Sequence, residues 1–317
     1  NPYTDAAEQA FLSAYNEGVF VAASAGNSGP TPDTTDHRGP WVTTVAASTS
    51  NRSFVSQLTL TASNGDKLQL SGTSVTPGIS TPTPVVMAPD PLCGPMPAGS
   101  LTGKIVVCNR GGNGRVDKSY RVYNAGGAGM ILRNINISQD LDTDNFWVSG
   151  LHISGQSGLD LVAFLNSHTG VMATFTQGQA TASQGDVMAA FSSRGGPGQR
   201  LGVSKPDITA PGVQILAGQT PLPATTTAGP QGQLFMAIQG TSMSSPHIAG
   251  AGALLKALHP NWTPGQIKSA IMTTAKVQGV VKEDGNPANA FDYGSGRVDL
   301  NVAGNPGLTF DESAADY

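Results

Sequence analysis

The stretch from about Ser242 to Leu258 constrains the fold most. It carries Ala249-Gly250-Ala251-Gly252-Ala253-Leu254-Leu255 and has no polar face. A helix that is small and apolar all round predicts burial at the centre of a domain, with other layers covering it. Those layers can be read upstream. Thr4 is placed to cap a helix running to about Glu17, with Ala7, Ala10, Phe11 and Ala14 at helical spacing and Gly18 ending it. Val19-Phe20-Val21-Ala22-Ala23 follows as a continuous apolar run, and Val42 to Ala47 is a second. Such runs are expected of parallel strands covered on both faces. From Val187 onward short strands are predicted at Val187–Phe191, Val213–Ala217 and Phe235–Ile238. After the long helix, Thr263, Pro264 and Gln266 form the start of another one, a capping box with proline at the first helical position. The fold class is therefore α/β, a parallel sheet with helices on both faces.

The middle of the chain differs in texture. From about 55 to 186 it offers short strands such as Leu58–Thr61, Lys104–Cys108 and Gly129–Arg133, separated by turn residues, and one helix over about Ser157 to Ser167. This reads as a smaller, mostly β domain set between 1–54 and 187–307, with 308–317 as a tail or the start of a linker. Two cysteines, Cys93 and Cys108, stand either as two buried thiols or as a bridge worth about 3 kcal/mol in the chain-entropy model. Sequons occur at Asn51, Asn136 and Asn261.

Charge narrows the partners. Of 317 residues only 12% are charged, and 17 basic against 21 acidic residues give a net charge of −4. No basic run exists, so nucleic-acid binding has no support. No apolar run approaches the roughly 18 residues that would span a bilayer. The low charge and many small polar residues fit a secreted protein.

The chemistry concentrates at Gly240-Thr241-Ser242-Met243-Ser244-Ser245-Pro246-His247. A strand leads into it and the apolar helix leaves it, so Ser242 sits at a helix N-terminus among free N–H groups and the positive end of the dipole. A serine nucleophile that generates an oxyanion needs that setting. A serine before a helix is also an ordinary N-cap, so the whole octapeptide followed by Ala249-Gly250 carries the reading.

That segment resembles the serine motif of the subtilisin-like serine proteases (subtilases). Ala23-Ser24-Ala25-Gly26-Asn27-Ser28-Gly29-Pro30 is similar to their oxyanion-hole motif, and Phe191–Gly195 and Lys205–Gly212 are further family-like segments in the same order. The resemblance implies Ser242 as nucleophile, Asn27 as oxyanion donor, and Ser24, Ala25 and Gly26 as one wall of the substrate pocket. Gly103–Gly111 and Ala125–Ile131 resemble a protease-associated (PA) domain inserted in the host, within which the Cys93/Cys108 pair would form a disulfide.

The family's aspartate and histidine signatures, an Asp-Ser/Thr-Gly turn and a His-Gly-Thr-His segment, occur nowhere in this sequence. His247 lies five residues beyond Ser242, about 140° around and 7.5 Å along a helix, and His37 sits in a polar loop. The implied protein is a secreted serine endopeptidase acting on polypeptides. This chain, as the C-terminal part of its catalytic domain, would be inactive until an N-terminal fragment of the same protease supplies the Asp and His. The rival reading is a non-catalytic pseudoprotease or PA-based binding fragment. An esterase elbow would need Gly-x-Ser-x-Gly, which Gly240–Ser244 does not match. No cofactor is required. Asp140, Asp142 and Asp144 alternate like a calcium loop but lack its glycine and its bidentate glutamate. No metal site is therefore assigned, although Ca²⁺ as a structural ion with unknown ligands is compatible with the family.

Overall fold

A computed structural model describes residues 1–137, 139–199 and 202–317. Ser138, the third residue of the Asn136 sequon, lies outside the described residues. The chain divides into two compact units, one of residues 1–51, 184–215 and 239–317, the other of residues 52–183 and 216–238.

The first unit begins with α1 (Ala6–Asn16). Its cap is Asp5, not Thr4: the carboxylate of Asp5 accepts the N–H groups of Ala7 and Glu8, and an anionic acceptor also favours the positive helix end. The apolar runs then form β1 (Ala22–Ser24) and β2 (Thr43–Ser48), which pair in parallel.

The second unit holds β3 (Arg52–Thr61), β4 (Lys67–Thr73), β5 (Ile79–Met87), β6 (Ile105–Asn109), α2 (Arg115–Asn124) and β7 (Gly129–Arg133). It continues with β8 (Ser149–Ile153), α3 (Gly155–Ser167), β9 (Met172–Phe175) and β10 (Gln179–Ala182). The eight strands form one sheet in the order β10-β3-β4-β8-β7-β6-β5-β9. The strands β5, β6, β7 and β8 run parallel, while β3 and β4 form an antiparallel hairpin.

In the first unit β11 (Ile208–Pro211) joins β2 in parallel, giving a three-stranded sheet β1-β2-β11. A two-stranded ribbon follows, β12 (Ile215–Gly218) with β13 (Phe235–Ile238). The long helix is α4 (Thr241–Leu258), followed by α5 (Pro264–Thr273) and two single turns, α6 (Ala290–Tyr293) and α7 (Leu300–Ala303). The capping box at Thr263 and Gln266 is present as expected.

Several expectations are corrected. The parallel sheet does not gain strands from Val187–Phe191, Val213–Ala217 or Phe235–Ile238. Met188 and Val187 make only isolated bridges, and the other two segments pair with each other. Helices do not cover both faces equally. On one face Val45, Ile208 and Ala210 pack on Ile248, Ala251 and Leu255 of α4, with α5 behind. On the other, Ala23 and Val42 meet Tyr15 of α1, and Ala46 meets the irregular segments at Met188 and Val280. The second unit is not one uninterrupted, mostly β insertion over 55–186. It includes the 216–238 excursion, and its four parallel strands carry α2 and α3. It therefore departs from the expected inserted PA domain.

In this sheet β3 pairs with β4, β9 and β10, and β5 with both β6 and β9.

The central helix is a further correction. Ile248, Ala251, Gly252 and Leu255 are buried, and a methyl group on Gly252 would collide with the Phe20 ring. The opposite side, Ala249, Gly250, Ala253, Leu254 and Leu258, is exposed, with Leu254 62% and Leu258 61% accessible. The bond Cys93–Cys108 is formed. Residues 308–317 belong to the first unit's packing. Phe310 N–H donates to Ser269 (2.9 Å), the Tyr15 hydroxyl donates to the Glu312 carbonyl (2.6 Å), and the Tyr317 ring meets those of Tyr15 and Trp41. Among the described residues no helix is long and apolar enough to cross a membrane.

Candidate active site

Two loops of the first unit meet at the N-terminus of α4. The chain leaves β1 at Ser24 and runs through Ala25 and Gly26 to Asn27. Ala25 N–H donates to the Val45 carbonyl (2.9 Å), continuing the parallel register beyond the strand. From the other side Gly240 N–H donates to the Gly212 carbonyl (2.9 Å) and delivers Thr241 and Ser242 as the first residues of α4.

Thr241 is the joint between the loops. It is fully buried. Its N–H and its hydroxyl both donate to Asn27 Oδ1, at 2.9 and 3.0 Å, and its Oγ1 accepts the Gly26 N–H at 3.1 Å. With both donors on Oδ1, the Asn27 Nδ2 faces outward. That amide and the Ser242 hydroxyl flank Gly240: a methyl placed there would stand 2.9 Å from Ser242 Oγ and 3.6 Å from Asn27 Nδ2. Both Ser242 and Asn27 are solvent-exposed. Pro246 has no N–H to give the Ser242 carbonyl, so the first turn of α4 is loosened at the serine.

The arrangement can therefore hold a carbonyl oxygen between an amide donor and a helix N-terminus while presenting a hydroxyl to its carbon. Acyl transfer also needs a base. The Ser242 hydroxyl contacts Met243 Sδ at 3.7 Å. His247 is turned to the Met243 carbonyl (2.9 Å) on the exposed side of the helix. His37 is bound to Glu8 Oε1 (2.8 Å), an interaction that raises its pKa against a smaller opposing effect of burial. No base is hydrogen-bonded to Ser242 among the described residues. The acyl-enzyme reaction expected of Ser242 is therefore not supported by the described residues, which bring the serine hydroxyl and the Asn27 amide together without a base.

Of the expected pocket wall, Ser24 and Gly26 are half-buried and Ala25 is fully buried. Sequence reasoning missed Thr241 as the residue that orients Asn27, although it stands inside the motif. It also missed Asp36, whose carboxylate lies against Gly26. Nothing local in Asp36-His37-Arg38 marks it, because the approach is made by a loop returning from Asn27.

Two of the alternating aspartates face arginines. Asp142 pairs with Arg110 and Arg115 (2.9 and 3.1 Å), and Asp144 takes two bonds from Arg115 (2.6 and 3.0 Å). The neighbouring His152 is buried and held neutral, its pKa pushed down to about 3 by burial and by Arg110. It donates from Nε2 to Asn134 Oδ1 (2.6 Å) and accepts the Asp142 N–H (3.1 Å). This network is neutralised internally, and among the described residues no group of three or more potential ligands is arranged to hold a metal ion.

The model of the subtilase family matches residues 1–296. Subtilisin-like protease SBT1.4 of Arabidopsis thaliana is 39% identical over 335 residues, which cover 99% of this chain and 43% of that protein. Subtilisin-like protease SBT5.4 of the same plant is 38% identical, covering 96% of this chain and 42% of that protein. The chain thus spans less than half the length of these relatives. A solved structure, the psychrophilic subtilisin-like protease Apa1 from an Antarctic Pseudoalteromonas, aligns over 95% of this chain and 67% of its own at 15% identity. Its TM-score of 0.38 is too low to say anything about the fold. With the family match running unbroken from the α1 helix past Ser242, the chain belongs to the subtilase family.

Proposed function

We propose that this chain supplies the carbonyl-binding, nucleophile-bearing half of a serine peptidase centre. The observation that carries it is the Asn27 carboxamide, locked by two bonds from Thr241 with its amide turned toward the space beside the Ser242 hydroxyl. Free Nδ2 and the N–H groups opening α4 are donors suited to a developing oxyanion. The base and its orienting carboxylate come from a segment outside these residues. Two open surfaces support this: β1 is an edge strand of its sheet, and α4 keeps an apolar face exposed. An added strand and helix layer would cover both. Polypeptide is the substrate class, since the similar proteins are subtilisin-like proteases. The buried disulfide supports an oxidising, extracellular setting.

An active-site-directed fluorophosphonate tests the reading. Labelling should fall on Ser242 in the full-length protein and be far slower on residues 1–317 alone. Failure of the full-length protein to label at Ser242 overturns it.

A further inference from the structure

The loop that leaves Asn27 returns to the site. Asp36 N–H donates to the Ala25 carbonyl (2.8 Å), pinning the return against the segment before Asn27. There its carboxylate occupies the space a side chain at position 26 would need: Oδ2 lies 2.5 Å from where a Cβ on Gly26 would stand, with Ser193 Oγ at 2.8 Å from the same point. Gly26 has φ +98°, a conformation L side chains rarely adopt, so the position is closed to other residues by space and by backbone alike. Gly26 is also tied directly to the centre through Thr241 Oγ1. A carboxylate is therefore held one residue from the oxyanion amide.

Asp36 is exposed and enters no ion pair among the described residues. The cations on its own loop are engaged elsewhere: Arg38 donates to the carbonyls of Thr35 and Asp33, and the His37 ring is bound to Glu8. The resemblance that implies Ser24 and Gly26 as a pocket wall would set the side chain of a substrate residue, its carbonyl seated between Asn27 Nδ2 and Ser242 Oγ, beside Gly26.

We propose that Asp36 sets specificity, and that the site favours a peptide whose residue at the scissile carbonyl is cationic, lysine or arginine. A guanidinium or ammonium group beside Gly26 would pair with Asp36 as substrate excludes water, whereas an acidic side chain would be repelled. This rests on the peptidase half-site reading.

The test uses the full-length protein and two kinds of probe. A plain fluorophosphonate reports whether Ser242 reacts. Peptidyl diphenyl phosphonates that differ only in an arginine-like or phenylalanine-like side chain report specificity. The arginine-like probe should react at least about tenfold faster, and Asp36→Asn should reduce that ratio by about tenfold, with Asp36→Ser doing the same. Fluorophosphonate labelling of each variant shows that it is folded. If Ser242 reacts with fluorophosphonate but the ratio is near one, or Asp36→Asn leaves it unchanged, the specificity inference fails and the half-site stands. If fluorophosphonate does not react at all, both fall.

Discussion

Thr241 holds Asn27 by two hydrogen bonds to one oxygen, from its backbone N–H at 2.9 Å and its hydroxyl at 3.0 Å. The amide orientation of an isolated asparagine is free to flip. Two donors on Oδ1 remove that freedom, because the flipped amide would set Nδ2 against them. The hydroxyl bond can be deleted without altering Asn27 or Ser242. Thr241→Val should slow fluorophosphonate labelling of Ser242 by about tenfold, the rate equivalent of one modest buried hydrogen bond plus the unsatisfied Gly26 N–H. Thr241→Ser, which keeps the oxygen, should restore most of the rate. Equal rates for the two variants would show that the hydroxyl does not position Asn27.

Gly240 is a steric requirement of the same site. A methyl there would sit 2.9 Å from Ser242 Oγ at a φ of +156°. Gly240→Ala should abolish labelling while costing only about 1–2 kcal/mol of stability, the scale of local backbone strain. Chemical denaturation and labelling read on the same sample separate these effects. A large loss of stability with labelling retained would contradict the geometry.

The site was more legible in the sequence than its surroundings. Gly240 to Pro246 and Ser24 to Pro30 announced themselves because each residue type serves local backbone chemistry that short spacing records. Asp36 and the Thr241–Asn27 bond depend on long-range closure, which no spacing records. The helix α2 was missed because Arg115, Asp117, Lys118 and Arg121 hide its inward positions. Lys118 is wholly buried there, its ammonium donating to the carbonyls of Leu92 and Gly111. The strands expected at Val213–Ala217 and Phe235–Ile238 were correct as strands and wrong in their partner, since an apolar run states that it is covered and not by what.

The pair His37–Glu8 makes the loop after Asn27 sensitive to pH. Glu8 is buried and also accepts the Gly39 N–H (3.0 Å), so it anchors that loop to α1. The bond to Glu8 raises the pKa of His37, with Asp36 and Asp5 adding to the effect and burial opposing it. For a histidine whose folded pKa is raised, the stabilisation is complete below the unfolded value of about 6.5 and lost as pH rises through the higher folded value. The ring is a third exposed, so the amount should be no more than about 1 kcal/mol. Denaturation midpoints of the protein and of His37→Gln should differ at pH 5.5 and converge by pH 8.5. A constant gap across that range would remove the ion pair as its cause.

Lys205 and Asp207 form the most deeply buried charged contact among the described residues of the first unit. Lys205 Nζ donates to Asp207 Oδ2 (2.5 Å) and to the Val42 carbonyl (2.8 Å), and Lys268 approaches Oδ1 at 3.2 Å. Thr44 N–H also donates to Oδ2 (2.7 Å), so the carboxylate joins β2 to the start of β11. Burial alone would raise the Asp207 pKa, but Lys205 and Lys268 outweigh it and hold it below the ordinary value. Its contribution is therefore present above the usual carboxylate range and lost as pH falls through the depressed folded value. Asp207→Asn leaves the fully buried Lys205 facing a neutral amide and should cost about 3–5 kcal/mol at neutral pH. Adding Lys205→Met removes the stranded charge and should recover a large part of that loss, because an apolar side chain of similar volume needs no partner. Urea denaturation of the single and double variants decides it. A double variant no more stable than Asp207→Asn would show that the aspartate acts through the Thr44 bond and not through the buried lysine.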